Sequence, residues 1–374
     1  MDRLGEELRT FALDRLRPLR RRIKQDRVVQ VVSAAAILAQ RGVARYRQSR
    51  LTNLPRKEVT DTGPRGGLSV EIEDAGGGID LRDPPIPNAR FSPQRRDSQV
   101  HRWIHDRDRR QFHVDGYMVI RNVVPPNLVG NAVGEIAAFV GADLADSTTW
   151  YRGRQELDGI VPMHHAQSVW DIRQSPNLYQ VFSEFFGTPR LMVDINRCIF
   201  RPPVHRRFPK ISRGIIHWDT DPRGPLPASV QAVVLLSDVG RNAGGFQCLP
   251  DVYRNLDAWL KRYARRGDFD FFYPGLNYWK TTQVEGQAGD VVLWSTKLPH
   301  GSAANLSNRP RVAAFVSMQP YDDNARLRES MKNWWLTKRA PDYWRGLPGQ
   351  LDPEPGSPAA LSDLGLKLIG VSSW

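Results

Sequence analysis

From Gly187 onward the chain breaks into short β-rich runs, and that pattern narrows its fold more than any other feature. The runs are "RLMVDINRCIFRPP" (190–203), "ISRGIIHW" (211–218), "ASVQAVVLLSDV" (228–239), "GGFQCLP" (244–250), "GDVVLW" (289–294) and "RVAAFVSMQPY" (311–321). Gly, Pro and Asn punctuate them, as expected of strands joined by turns. No regular alternation of strand with long helix appears, so a parallel α/β sheet is not expected. The pattern predicts a mainly β domain with flanking helices, built as an antiparallel two-layered barrel or jelly roll.

Upstream, "DGYMVIRNVVPP" (115–126) reads as a strand stopped by two prolines. Val129, Val133, Ile136, Ala137 and Val140 then recur at helical spacing. A second helix is punctuated at both ends. Ser175 is its expected N-cap and Pro176 its first residue; Leu178, Val181, Phe182 and Phe185 form one stripe, and Gly187 ends it.

Further toward the N-terminus the composition changes. Residues 1–50 carry 13 Lys/Arg against 5 Asp/Glu, so this arm supplies most of the formal net charge of +13. They read as a basic helical arm, and residues 51–100 as a Gly/Pro-rich linker or wrapping segment. The main body, with its helical insertions, is expected over 101–345, with a tail over 346–374. The arm could touch nucleic acid, an acidic partner or a membrane surface, or simply be a solvated helix. No recognition helix, zinc-knuckle spacing or aromatic–basic strand accompanies it, so nucleic acid is not an expected partner. The apolar run 28–39 is too short to span a bilayer, and acidic residues among the arginines before it make a poor secretory signal. Cys198 and Cys248 lie in apolar text and read as small core residues in a reducing compartment. A cytoplasmic protein is expected, with a homo-oligomer left open.

The string "GIIHWDTD" (214–221) places His217 and Asp219 one residue apart. In extended backbone such positions point to the same side, so both could reach one ion. Of the eight histidines, His300 is the one downstream of that pair. Two imidazoles and a carboxylate on one face of an octahedron suit a ferrous ion that handles dioxygen. A catalytic zinc could use the same ligand count, and three unrelated polar residues at strand ends are also compatible with the spacing.

Four stretches together carry a family resemblance: "DGYMVIRNVVP", "HWD", "NAGGFQCLP" and "GDVVLWSTKLPHGSAANLSNRPR". In this order the chain resembles the phytanoyl-CoA dioxygenase-like (PhyH) branch of the Fe(II)/2-oxoglutarate-dependent oxygenases. The resemblance runs from about 115 to 321. It implies a double-stranded β-helix (a cupin-like jelly roll), with His217, Asp219 and His300 as iron ligands. Arg311 would grip the distal carboxylate of 2-oxoglutarate, with Arg309 as a nearby rival. Gln231 and Asn196 could face cosubstrate or substrate. Ser302 and Asn305 could shape the loop after His300.

The implied reaction is oxidation, most simply hydroxylation, of a small organic molecule by molecular oxygen, releasing succinate and CO2. Asp219 stands where halogenating relatives carry a small residue, which argues against halogenation. Where the family often has Pro-Gly-Ser-His, this chain has Pro250, Asp251, Val252 and Tyr253. A zinc-dependent hydrolase, or a non-catalytic barrel binding a partner through its arm, remain the alternatives. The aromatic stretches within 251–288 and 333–344 are candidates for a lid or a subunit interface, and His164 and His165 for pocket residues on a loop between helices.

Overall fold

The computed structural model describes residues 102–151, 159–208, 215–224, 230–263, 269–271, 273–339 and 357–374. The expected arm over 1–50 and linker over 51–100 lie outside the described residues.

Six strands form the larger sheet. They are β1 (Tyr117–Ile120), β2 (Ile160–Val161), β4 (Cys198–Arg201), β5 (Val230–Leu235), β8 (Val291–Ser295) and β10 (Arg311–Phe315). Their spatial order is β1-β8-β5-β10-β4-β2, and every neighbouring pair is antiparallel. A smaller sheet has the order β7 (Thr282–Gln283), β6 (Phe246–Cys248), β9 (His300–Ser302). Strands β3 (Leu191–Val193) and β11 (Met318–Pro320) pair apart from both.

Both faces of the large sheet are covered, which explains why its strands read as unbroken apolar text. On the outer face Met118, Ala232, Val234, Leu293, Val312 and Ala314 pack with side chains from three helices. These are α1 (Pro126–Val140), α2 (Gln167–Arg173) and α3 (Pro176–Phe186). On the inner face Val233, Leu235, Val292, Trp294 and Ala313 meet Phe246 and Cys248 of the small sheet. The space between the two sheets is where the polar residues of interest converge.

Helix α3 begins and ends where expected. Ser175 has extended backbone, Pro176 takes the first turn, and Gly187 closes the helix at φ 65°. The Ser175 side chain, however, makes no capping bond and its hydroxyl is buried without a partner. The fixed φ of proline and the left-handed glycine mark these ends, not a side-chain cap. The "GD" turn before β8 has a clear cause as well. The Asp290 carboxylate accepts from Arg121 at 2.6 Å, from the Asn122 amide at 2.9 Å and from the Gln287 amide at 2.8 Å. Those bonds tie the exit of β1 to the start of β8.

Two single runs are each split between sheets. The run 190–203 becomes β3 and β4, and 311–321 becomes β10 and β11. Polar side chains at the breaks divert the ladder: Asn196 donates to the Asp194 carbonyl, and Ser317 Oγ accepts from the Ala232 amide. The run 211–218 contributes a bridge at His217 instead of a full strand among the described residues.

Trp334 and His164 depart from expectation, while Tyr343 and Trp344 of the tail lie outside the described residues. Trp334, on the helix Ala325–Thr337, is buried core beside Trp170 and forms no lid. His164 sits between β2 and α2, not between helices, and accepts a 2.7 Å bond from Trp334 Nε1. Arg173 lies within 5.1 and 5.3 Å of the two indole rings and donates to the carbonyls of His164 and Asn196. Large flat rings and one guanidinium pack together in this layer.

Burial, reinforced by neighbouring His165, pushes the His164 imidazole down to about 3. The unfolded chain takes up a proton at this position below about 6.5, and the folded chain resists it. The linked stability is therefore intact above pH 6.5 and is lost as the pH falls toward 3. Chemical denaturation should show the midpoint dropping across that window. A His164→Asn variant, which keeps an acceptor but cannot be protonated there, is expected to show a shallower drop; equal slopes would remove His164 as the cause.

No helix among the described residues is long and apolar enough to cross a membrane.

Candidate metal centre

His217 and His300 face each other across an antiparallel bridge. The His217 amide donates to the His300 carbonyl at 2.9 Å, and the His300 amide returns a 3.0 Å bond to His217. His300 is also the register partner of Cys248 on β6, so the small sheet fixes its position from the other side. Gly301 makes this approach possible, because a Cβ there would stand 2.4 Å from the Ile215 carbonyl oxygen. An alanine would force the two backbones apart.

The imidazoles are oriented alike. His217 Nδ1 lies 2.9 Å from the Ile215 carbonyl, and His300 Nδ1 lies 2.9 Å from the Leu298 carbonyl. A carbonyl only accepts, so each Nδ1 carries the proton and each Nε2 presents its lone pair. Both Nε2 atoms point at Asp219: His217 Nε2 is 3.4 Å from Oδ1, and His300 Nε2 is 3.3 Å from Oδ2. The three ligand atoms lie within 4.8 Å of one another. Burial alone would raise the Asp219 carboxyl, but the hydrogen bonds and charge that the two facing imidazoles supply when protonated hold it well below the usual carboxylate range. A divalent cation at the Nε2 atoms would take the place of those protons, and two imidazoles with a carboxylate are a donor set that a first-row metal takes.

Trp218, between the ligands, points the opposite way. It is fully buried against Trp259 at 5.0 Å and Phe269 at 5.3 Å, and its indole donates to the Lys297 carbonyl at 2.8 Å. Leu249, Val252 and Leu276 complete this separate core. The segment replacing Pro-Gly-Ser-His therefore becomes a short helix, Pro250–Arg254, whose Val252 packs under the ligand turn. The aromatics of 251–288 divide: Trp259 and Phe269 are core, and Tyr278 is largely exposed.

Arg311 and Arg309 are separated by burial. Arg311 is buried and donates to Ser302 Oγ at 3.4 Å, while its Nε has no partner; Arg309 is exposed. Arg311 is also the register partner of Arg201, a second buried arginine. Burial, then the charge of Arg201, pushes the Arg311 guanidinium down to about 9. In the sequence Arg201 is one of several arginines of the body, with Arg197, Arg213 and Arg223, that could favour an anionic group or serve solubility. Its signal was weak: it shares the inner-face alternation of Ile199 on β4.

The other expected residues fall as follows. Gln231 lies at the centre, donating from Nε2 to Asp219 Oδ2 at 2.7 Å. Asn305 is buried and donates to the carbonyls of Arg201 and Arg309, which shapes the loop after β9. Asn196 bonds its own turn, as described above. Trp294, which lies within the "GDVVLW" run but carries no assigned role in the sequence, donates to Gln231 Oε1 at 3.0 Å.

This part of the chain is similar to known proteins. The family described as "Phytanoyl-CoA dioxygenase (PhyH)" matches residues 112–313, more than half of the chain. A Dictyostelium discoideum protein named for phytanoyl-CoA dioxygenase is 24% identical over 258 residues, 56% of this chain and 74% of its own. The GIG2 protein of Candida albicans (DUF1479) superposes with a TM-score of 0.53 at 14% identity, covering 71% of this chain and 76% of its own. The epimerase SnoN, solved with Fe3+, alpha ketoglutarate and nogalamycin RO, has a TM-score of 0.41 at 16% identity over 68% of this chain and 94% of its own. Matched from the first strand to the last ligand-bearing sheet, the chain belongs to the phytanoyl-CoA dioxygenase family, an oxygenase-type enzyme whose cofactors are iron and 2-oxoglutarate.

Proposed function

We propose that this protein is an Fe(II)/2-oxoglutarate-dependent dioxygenase that hydroxylates a small organic metabolite, releasing succinate and CO2. The observation that carries the reading is the shared aim of His217 Nε2, His300 Nε2 and the Asp219 carboxylate, with both Nδ1 atoms already committed to backbone carbonyls. In this reading the two facing sheets are the halves of a double-stranded β-helix, the oxygenase domain spans 101–345, and the site lies between the layers.

The metal would be held by His217, Asp219 and His300. Bound iron supplies the activation of dioxygen, coupled to the oxidative decarboxylation of 2-oxoglutarate. Arg311 anchors the far carboxylate of the cosubstrate, since its planar fork matches a carboxylate and its free Nε is buried. Ser302, within reach of Arg311, adds a hydroxyl to that end. Phe246, Trp294 and Phe315 give the interior an aromatic, apolar character that excludes water and suits a small organic substrate. The two buried free thiols fit a reducing compartment such as the cytoplasm.

Anaerobic titration with Fe(II) and 2-oxoglutarate tests the reading. A weak visible charge-transfer band is expected in the natural chain and should vanish in His217→Ala. A zinc hydrolase or a non-catalytic barrel would give no band, and that result would end the proposal. Succinate formation over a panel of small organic compounds then locates the substrate class.

A further inference from the structure

We propose that Gln231 and Trp294 are positioning residues: a two-step hydrogen-bond relay that holds the Asp219 carboxylate in its orientation toward the metal. The inference rests on the reading of Asp219 as a ligand and adds to it the device that orients the carboxylate.

The relay has one direction only. An indole N–H can donate and never accept, so the 3.0 Å contact from Trp294 Nε1 fixes the Gln231 amide oxygen on its side. The amide nitrogen must then face Asp219, where it donates to Oδ2 at 2.7 Å. Without Trp294 the amide could turn over and place its oxygen against the carboxylate, a repulsive contact. The bond to an ionised carboxylate is of the stronger, charge-assisted kind. It holds Oδ2 in place 3.3 Å from His300 Nε2, while Oδ1 lies 3.4 Å from His217 Nε2. A carboxylate pinned in this way keeps its aim between the two imidazoles.

The main chain builds the relay into the fold. Gln231 and Trp294 are direct register partners across β5 and β8. The Trp294 ring is held in turn by Phe246 at 4.7 Å and by the His300 ring at 5.1 Å. The indole therefore touches one ligand through its face and steers another through Gln231. Outer partners of this type commonly change metal affinity by about 10- to 100-fold when removed.

The test uses the full-length chain, with cobalt(II) alone as the probe and no turnover required. Binding is followed by calorimetry and by the ligand-field absorption of the bound ion, which reports the coordination geometry. Gln231→Met keeps the side chain's length but cannot donate, and Trp294→Phe removes the indole N–H while leaving Gln231 in place. Each is expected to weaken cobalt(II) binding by about tenfold or more and to shift the ligand-field band. The double variant should bind no more weakly than the weaker single one, because both changes break the same chain of bonds.

Thermal melts establish that each variant is folded, and if one fails to fold the other decides. Binding within twofold of the natural chain, with an unshifted band, overturns the relay, as do fully additive losses in the double variant. The parallel His217→Ala control separates the two levels. If it binds cobalt(II) as tightly as the natural chain, the metal centre and the relay both fall. If it loses binding while Gln231→Met and Trp294→Phe do not, the relay alone falls.

Discussion

Arg311→Met is expected to raise the 2-oxoglutarate concentration for half-maximal turnover by roughly 30- to several-thousand-fold, since removing one partner of a buried charge pair costs about 2–5 kcal/mol. The same substitution should leave the cosubstrate-free protein as stable as before, or more so. The reason is that Arg311 is buried next to Arg201, and its contact with Ser302 is a long one of 3.4 Å. A guanidinium pushed down to about 9 by burial and a like charge is a liability until an anion arrives. Its folded value is depressed, so its penalty is fully present at neutral pH and is relieved only as the pH rises past about 9. Succinate assays across 2-oxoglutarate concentrations, paired with thermal melts without cosubstrate, read both halves. A half-saturation point within threefold of the natural chain would remove Arg311 as the anchor. A large loss of stability would instead make it a packing residue.

Trp218→Ala should cost about 3–5 kcal/mol of stability, the range for deleting a large buried ring. It should also weaken metal binding under conditions where the variant is still folded. Trp218 lies between the two ligands of the turn and is the centre of the core formed by Leu249, Val252, Trp259, Phe269 and Leu276. Its indole bond to the Lys297 carbonyl ties this turn to the segment leading into His300. Loss of the ring therefore empties a cavity and also unpins the backbone that presents His217 and Asp219. Denaturant unfolding gives the first effect, and cobalt(II) titration at low temperature gives the second. Trp218→Phe, which refills part of the space, should recover part of the stability. If metal affinity were unchanged in a folded Trp218→Ala protein, the turn would hold its shape without the ring and the anchoring role would be lost.

The sequence by itself determined features that depend on short spacing. Pro176 and Gly187 bounded their helix because proline and left-handed glycine act on their own residues. His217 and Asp219 share an aim because alternate positions of near-extended backbone do so, and Trp218 turns inward for the same reason. Even the strand runs were legible, although their breaks at Asp194 and Ser317 were not.

Only the tertiary structure decided what pairs with what. The bridge from His217 to His300, the burial that separates Arg311 from Arg309, the hidden Arg201, and the chain from Trp294 through Gln231 to Asp219 all join residues from different strands. The same holds for Trp334, which reads as a lid aromatic and is instead core beside Trp170. Spacing along a chain fixes the side on which a residue projects. The partner it meets there is set by strand register and by the packing of two layers, and those arise from many weak contacts acting together.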